Sequence, residues 1–171
     1  EIGTDEIFAT PGCESNVKEI YDKCWELRRE RGDSVVIFNQ FEEFANSIWH
    51  YHVTGDALWG VFEQVRRPGD RFAAFISATG SAGTIAAGDY LRTRAPLLRV
   101  VALEALQCPT LLEFGFGGHR IEGIGDKHVP WVHNLRNTDV VAAIDDEQCM
   151  QLLRLFNEPA GLRFLEREGI A

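Results

Sequence analysis

Short apolar runs alternate along the chain with longer stretches in which apolar residues recur every three or four positions. Val17, Ile20, Tyr21, Cys24 and Leu27 share one face of a helical repeat in "ESNVKEIYDKCWELRRERG". Ser15 is the residue type that caps such a helix, and Gly32 the type that ends one. "SVVIFNQ", residues 34–40, is a compact β-branched run that predicts a buried strand, and "DEIFAT", residues 5–10, predicts a short one closed by Pro11-Gly12. "FANSIWHYHVTGDALWGVFEQV" predicts a helix interrupted near Thr54-Gly55, after which Arg67-Pro68-Gly69-Asp70 makes a turn.

Strands follow at "RFAAFIS", "LLRVVALEA" and "DVVAAI", with a helix over "TIAAGDYLRTR" between the first two. The stretch from Gln107 to Asn137 is irregular and glycine-rich. Asp145 or Asp146 caps a helix over "EQCMQLLRLFNE", and Pro159 sits in the first turn of a last helix over "PAGLRFLEREG". Strands alternating with helices predict an α/β fold: three layers, a mostly parallel sheet and helices on both faces.

Bulk properties narrow the function. With 171 residues, 45% of them hydrophobic, the chain can bury a sizeable core. A formal net charge of −9 lacks the basic face that duplex nucleic acid requires and gives no attraction to anionic membranes. No apolar run is long enough to span a bilayer, and "EIGTDEIFATPG" lacks a signal-peptide layout. The four cysteines, Cys13, Cys24, Cys108 and Cys149, form no C-x-x-C pair, which points to reduced thiols in a cytoplasmic protein. The first residue is Glu1 and the single methionine is Met150, as expected of a processed start or a piece of a longer chain.

The chemistry concentrates in "SATGSAGTIAAGDYL", residues 77–91, where a predicted strand gives way to a helix. Gly80 and Gly83 allow a tight turn, Ser81 and Thr84 add hydroxyl donors, and successive N–H groups can cradle an anion at the helix N-terminus. A turn needed only for close strand–helix packing has the same composition. The spacing is neither G-x-G-x-x-G nor that of a P-loop, since no lysine follows.

Three stretches resemble a known family. "HRIEGIGDKHVP", residues 119–130, resembles the H-K-I-x-G-I-G-x-G-F-x-P segment of the cysteine synthases, pyridoxal-phosphate enzymes of fold type II. "ATGSAGTIAAGDYL" resembles their G-T-G-G-T phosphate loop. "FNQFEEFANSIWHYHVTGDALW" resembles their Q-F-x-N-P-x-N-P-x-x-H-x-x-T-T-G-x-E-I-W segment. Order and approximate intervals agree from about Val35 onward. The resemblance implies that Gly80, Ser81, Ala82, Gly83 and Thr84 hold the phosphate of pyridoxal 5'-phosphate, with Ala82 in place of a glycine. It implies that Gly123, Ile124 and Gly125 line the cofactor ring and that Gln40 lies near the substrate carboxylate. Thr54-Gly55 then ends the crossing between a smaller domain, residues 1–66, and a larger one, residues 67–171. The chain departs from the pattern at Asp126-Lys127-His128, where the family often has Ala-Gly-Phe, and in lacking both prolines of N-P-x-N-P.

The implied activity is β-elimination or β-replacement on a serine- or cysteine-like amino acid, in a homodimer. The family's lysine matches none of Lys18, Lys23 and Lys127, so no catalytic residue is assigned. The expectation is the central portion of a longer enzyme, inactive alone. The other reading is a non-catalytic phosphate-binding or regulatory α/β module. His119, Asp126, His128 and His133 crowd one stretch but fit no common zinc spacing, so no metal is expected. Glu104 reads as a residue fixing the following loop, Cys108 as a small buried one, and the four tryptophans as core or domain-interface residues.

Overall fold

The structure, a computed structural model, describes residues 3–11 and 17–170. The Ser15 cap and Cys13 lie outside the described residues. Helix α1 runs Val17–Arg31 and ends at Gly32, whose φ of +56° suits glycine. Helix α2, Phe44–Trp49, continues through a π-helical turn at His50–Thr54 into α3, Gly55–Val65. Gly69 makes the expected turn with φ +93°, closed by the Asp70 N–H donating to the Arg67 carbonyl at 3.0 Å. Strands β1 (Ala74–Ala78), β2 (Arg99–Ala105) and β3 (Val140–Ile144) form a parallel sheet in the order β1-β2-β3. Helix α4, Ala86–Arg94, makes the crossover from β1 to β2. Helices α5 (Thr110–Glu113), α6 (Asp146–Asn157) and α7 (Pro159–Arg167) follow. The Asp145 side chain caps α6 by accepting from the Glu147 N–H, and Pro159 opens α7.

Pleating sets Phe75, Ser77, Val100, Ala102 and Glu104 on one sheet face, in the register Phe75–Val100 and Ser77–Ala102. This face meets α4. Leu91 and Val100 are sealed from solvent in a cluster with Ala82, Ile85, Tyr90, Leu98, Ala102 and Val132. Burying each of those two side chains contributes about 1.5–3 kcal/mol. Close approach explains two glycines in this layer. A Cβ on Gly88 would lie 2.8 Å from a Val100 methyl, and one on Gly55 would lie 2.7 Å from the Tyr90 Cβ. Tyr90 closes the seam by donating to Asp56 and stacking edge-on against Tyr51 at 5.5 Å. The opposite sheet face stays half-exposed, with Ile76 the least covered residue of its row.

The α/β alternation and the parallel sheet match the sequence pattern, and three local expectations need correction. "DEIFAT" is irregular. "SVVIFNQ" is irregular rather than a buried strand: Phe38 is 91% exposed, and no neighbouring strand among the described residues pairs with its backbone. The helix over 44–65 is not broken at Thr54-Gly55 but overwound there into the π-helical turn. Trp131, Trp49 and Trp25 are exposed, and only Trp59 packs against the core. No helix among the described residues is long and apolar enough to cross a membrane.

Candidate functional site

The residues singled out by sequence converge beyond the carboxyl ends of β1 and β2. Thr79 leaves β1 with its N–H still paired to the Leu103 carbonyl at 2.9 Å. From there the chain turns through residues 80–85 into α4. The N–H groups of Gly80, Ser81, Ala82, Gly83, Thr84 and Ile85 donate to no acceptor among the described residues, whereas those of Ala86, Ala87 and Gly88 are taken up by the first turn. A run of undonated N–H groups at the start of a nine-residue helix is a ready anion site. Ala82 turns this corner with φ +60°, a conformation that disfavours any residue with a Cβ by about 1–2 kcal/mol.

The 123–125 segment is packed directly on this turn. The Gly125 N–H donates to the Thr79 carbonyl at 3.0 Å, and a Cβ on Gly80 would lie 3.2 Å from the Gly123 carbonyl oxygen and 3.5 Å from the Ile124 Cα. Gly123 and Gly125 adopt φ values of +78° and +80°. Gln40 reaches the same place through a residue that the sequence reading passed over. Asn46 donates to the Gln40 carbonyl at 3.0 Å and to the Ser81 hydroxyl at 3.1 Å, which leaves the Ser81 proton to donate elsewhere. A Cβ on Gly83 would sit 2.2 Å from the Asn46 side chain, so Gly83 is the space Asn46 needs. The signal was present: Asn46 stands at the second asparagine of the Q-F-x-N-P-x-N-P pattern.

Glu104 is buried at the end of β2, where its carboxylate accepts from the Leu111 and Leu112 N–H groups at 2.9 Å each and so anchors α5. Cys108 is fully buried beside Thr110. Asp126 is buried too: Oδ1 accepts from the His128 N–H at 3.3 Å, Oδ2 has no partner, and burial pushes its carboxyl up to about 6. His133 bonds Thr138 through Nε2 at 3.0 Å, and burial lowers its pKa. Among the described residues no three His, Cys, Asp or Glu side chains gather in a metal-binding group. Lys18 and Lys23 pair with Asp22 and Glu26 on α1, and Lys127 lies 4.8 Å from the Phe116 ring centroid.

No family model matches the chain. Over 158 residues it is 29% identical to the cysteine synthase of Staphylococcus aureus strain Mu50, covering 92% of this chain and 48% of that protein. Among solved structures, O-ureido-L-serine synthase superposes with a TM-score of 0.71 at 27% identity, over 84% of this chain and 44% of the other. The chain is a fold type II relative of the cysteine synthases. A hydrogen sulfide-producing enzyme from Fusobacterium nucleatum shares the fold, with a TM-score of 0.67 at 22% identity over 80% of this chain and 46% of the other. The chain spans about half the length of the curated relatives it matches. For a pyridoxal-phosphate relative, the undonated N–H run and the free Ser81 proton fit a phosphate.

Proposed function

We propose that this chain supplies the phosphate-holding part of a pyridoxal-phosphate-dependent enzyme acting by β-elimination or β-replacement on a serine- or cysteine-like amino acid. The observation that carries the reading is the run of undonated N–H groups from Gly80 to Ile85, pressed against the 123–125 segment and tied through Asn46 to Gln40. In this reading Gly80, Ser81, Ala82, Gly83 and Thr84 hold the phosphate by main-chain N–H and hydroxyl donation, backed by the N-terminal dipole of α4. Gly123, Ile124 and Gly125 shape the wall beside the ring, where side chains would crowd the Thr79–Gly80 backbone. Gln40 orients the substrate carboxylate. When bound, the cofactor supplies the electron sink that lets an α-proton leave.

The amine that anchors the cofactor is not assigned to Lys18, Lys23 or Lys127, the first two being held in surface ion pairs. The 171 residues taken alone therefore bind phosphate but turn over no substrate. A cytoplasmic homodimer belongs to the same reading. The test is the visible spectrum of protein from its native source, followed by borohydride reduction and peptide mapping. A visible band that reduction converts into a covalent cofactor–lysine adduct supports the enzyme. No band and no adduct, together with phosphate binding that Gly83→Val abolishes, would instead leave a non-catalytic phosphate-binding module.

A further inference from the structure

At the other end of the sheet from the phosphate loop, where β1 and β2 begin, the surface opens into a cleft of about 710 Å³. That volume falls within the range of small-molecule sites, about 300–1,000 Å³. Its wall is aromatic: Trp59 and Phe62 stand 5.5 Å apart between ring centroids, and Phe62 and Phe72 stand 5.1 Å apart. Leu97 lies on the cleft with 88% of its surface exposed, an apolar residue with nothing covering it.

The charges lining this cleft are unevenly used. Arg66 is paired with Glu63 at 3.0 Å, and the Asp70 carboxylate accepts from the Arg67 N–H at 2.8 Å within its own turn. Arg71 and Arg99 also line the cleft, and neither makes an ion pair or hydrogen bond through its side chain among the described residues. Arg99 adds to the field at Asp139, but that carboxylate is already held by Arg92 and by the Val100 N–H. The cleft thus combines an apolar aromatic body with two uncommitted guanidinium groups.

We infer that this cleft is a binding site for an amphipathic carboxylate, an apolar body lying on Trp59, Phe62 and Phe72 with its carboxylate on Arg71 and Arg99. Guanidinium groups match a carboxylate in charge and in paired N–H geometry, and the flat rings supply area without directional demand. A neutral amphiphile satisfies only the apolar half, and a dianion leaves one charge to face Asp70. The site does not depend on the phosphate loop or on the activity proposed for it.

Octanoate and octanol are the probes, titrated calorimetrically into the purified protein at low and high salt, with tryptophan fluorescence reporting contact at Trp59. Octanoate is expected to bind about tenfold more tightly than octanol, with the advantage shrinking as salt rises. In R71Q/R99Q that advantage disappears while octanol binding is unchanged; both arginines are exposed, so the fold is retained. A Trp59→Phe variant should lose the fluorescence change but keep the heat. Equal binding of the two probes, octanoate binding that survives R71Q/R99Q, or no binding of either overturns the inference. So does a cleft closed by self-association, seen as sedimentation of a dimer that octanoate does not disturb.

Discussion

The seam between α3 and α4 and the stretch from α1 to residue 43 are similarly rich in apolar residues, yet they behave oppositely. At the seam, Gly55 and Tyr90 touch backbone to side chain, and Ala87 and Leu91 are sealed from solvent. From residue 18 to residue 43 no residue is fully buried, and Phe38 is almost wholly exposed. Apolar content alone does not make a core. What the seam has, and the other stretch lacks among the described residues, is a partner surface at a distance that small residues permit.

That contrast can be broken at its tight end. Gly55→Ala should destabilise the protein by about 2–3 kcal/mol in urea unfolding, because the new methyl meets the Tyr90 Cβ rather than the far end of a flexible side chain. The next effect comes from Asp126. Its carboxyl titrates near 6 in the folded protein against an ordinary 3.8, so the native state favours the protonated form. Stability from this group is therefore fully present below about pH 4, is lost as pH rises through about 6, and stays lost above. Asp126→Asn should remove that dependence and stabilise the protein at pH 7 by on the order of 1–2 kcal/mol. The readout is the difference between the two proteins across pH, because Asp139 and Asp146, whose carboxyls lie below the usual range, move stability in the other direction.

A smaller gain is expected from Ala82→Gly. Relief of the positive φ outweighs the added freedom of the unfolded chain, leaving up to about 1 kcal/mol of stabilisation and tighter phosphate binding by calorimetry. At the loose end of the comparison, Phe38→Ser should change stability by less than about 0.5 kcal/mol, since so little of the ring is covered. A large loss there would show that the apolar stretch has a partner after all.

The same division explains what was legible in the sequence. The three strands, α4, α6 and α7 announce themselves through runs and repeats whose partners lie close along the chain, and the Asp145 cap, Pro159 and the Gly69 turn act within a few residues. The small-residue loop was legible because composition there is itself the mechanism. Residues 34–40 misled because a β-branched run states a preference for pairing but cannot state that a neighbour exists. Asn46 was hidden because its role links a carbonyl six residues back to a hydroxyl 35 residues ahead, a relation no local pattern displays.

The π-helical turn at His50–Thr54 has a consequence for how this chain tolerates insertion and deletion. A π turn holds one more residue than the α-helix around it, so the phase of α3 relative to α2 is fixed by a single extra position. Deleting one residue there would restore ordinary winding and swing everything after it by about 100° around the helix axis. Gly55 would leave the Tyr90 notch while Asn46, upstream, stayed at Ser81. The length of this segment is thus held to the residue, even where the identity of its side chains is free to drift.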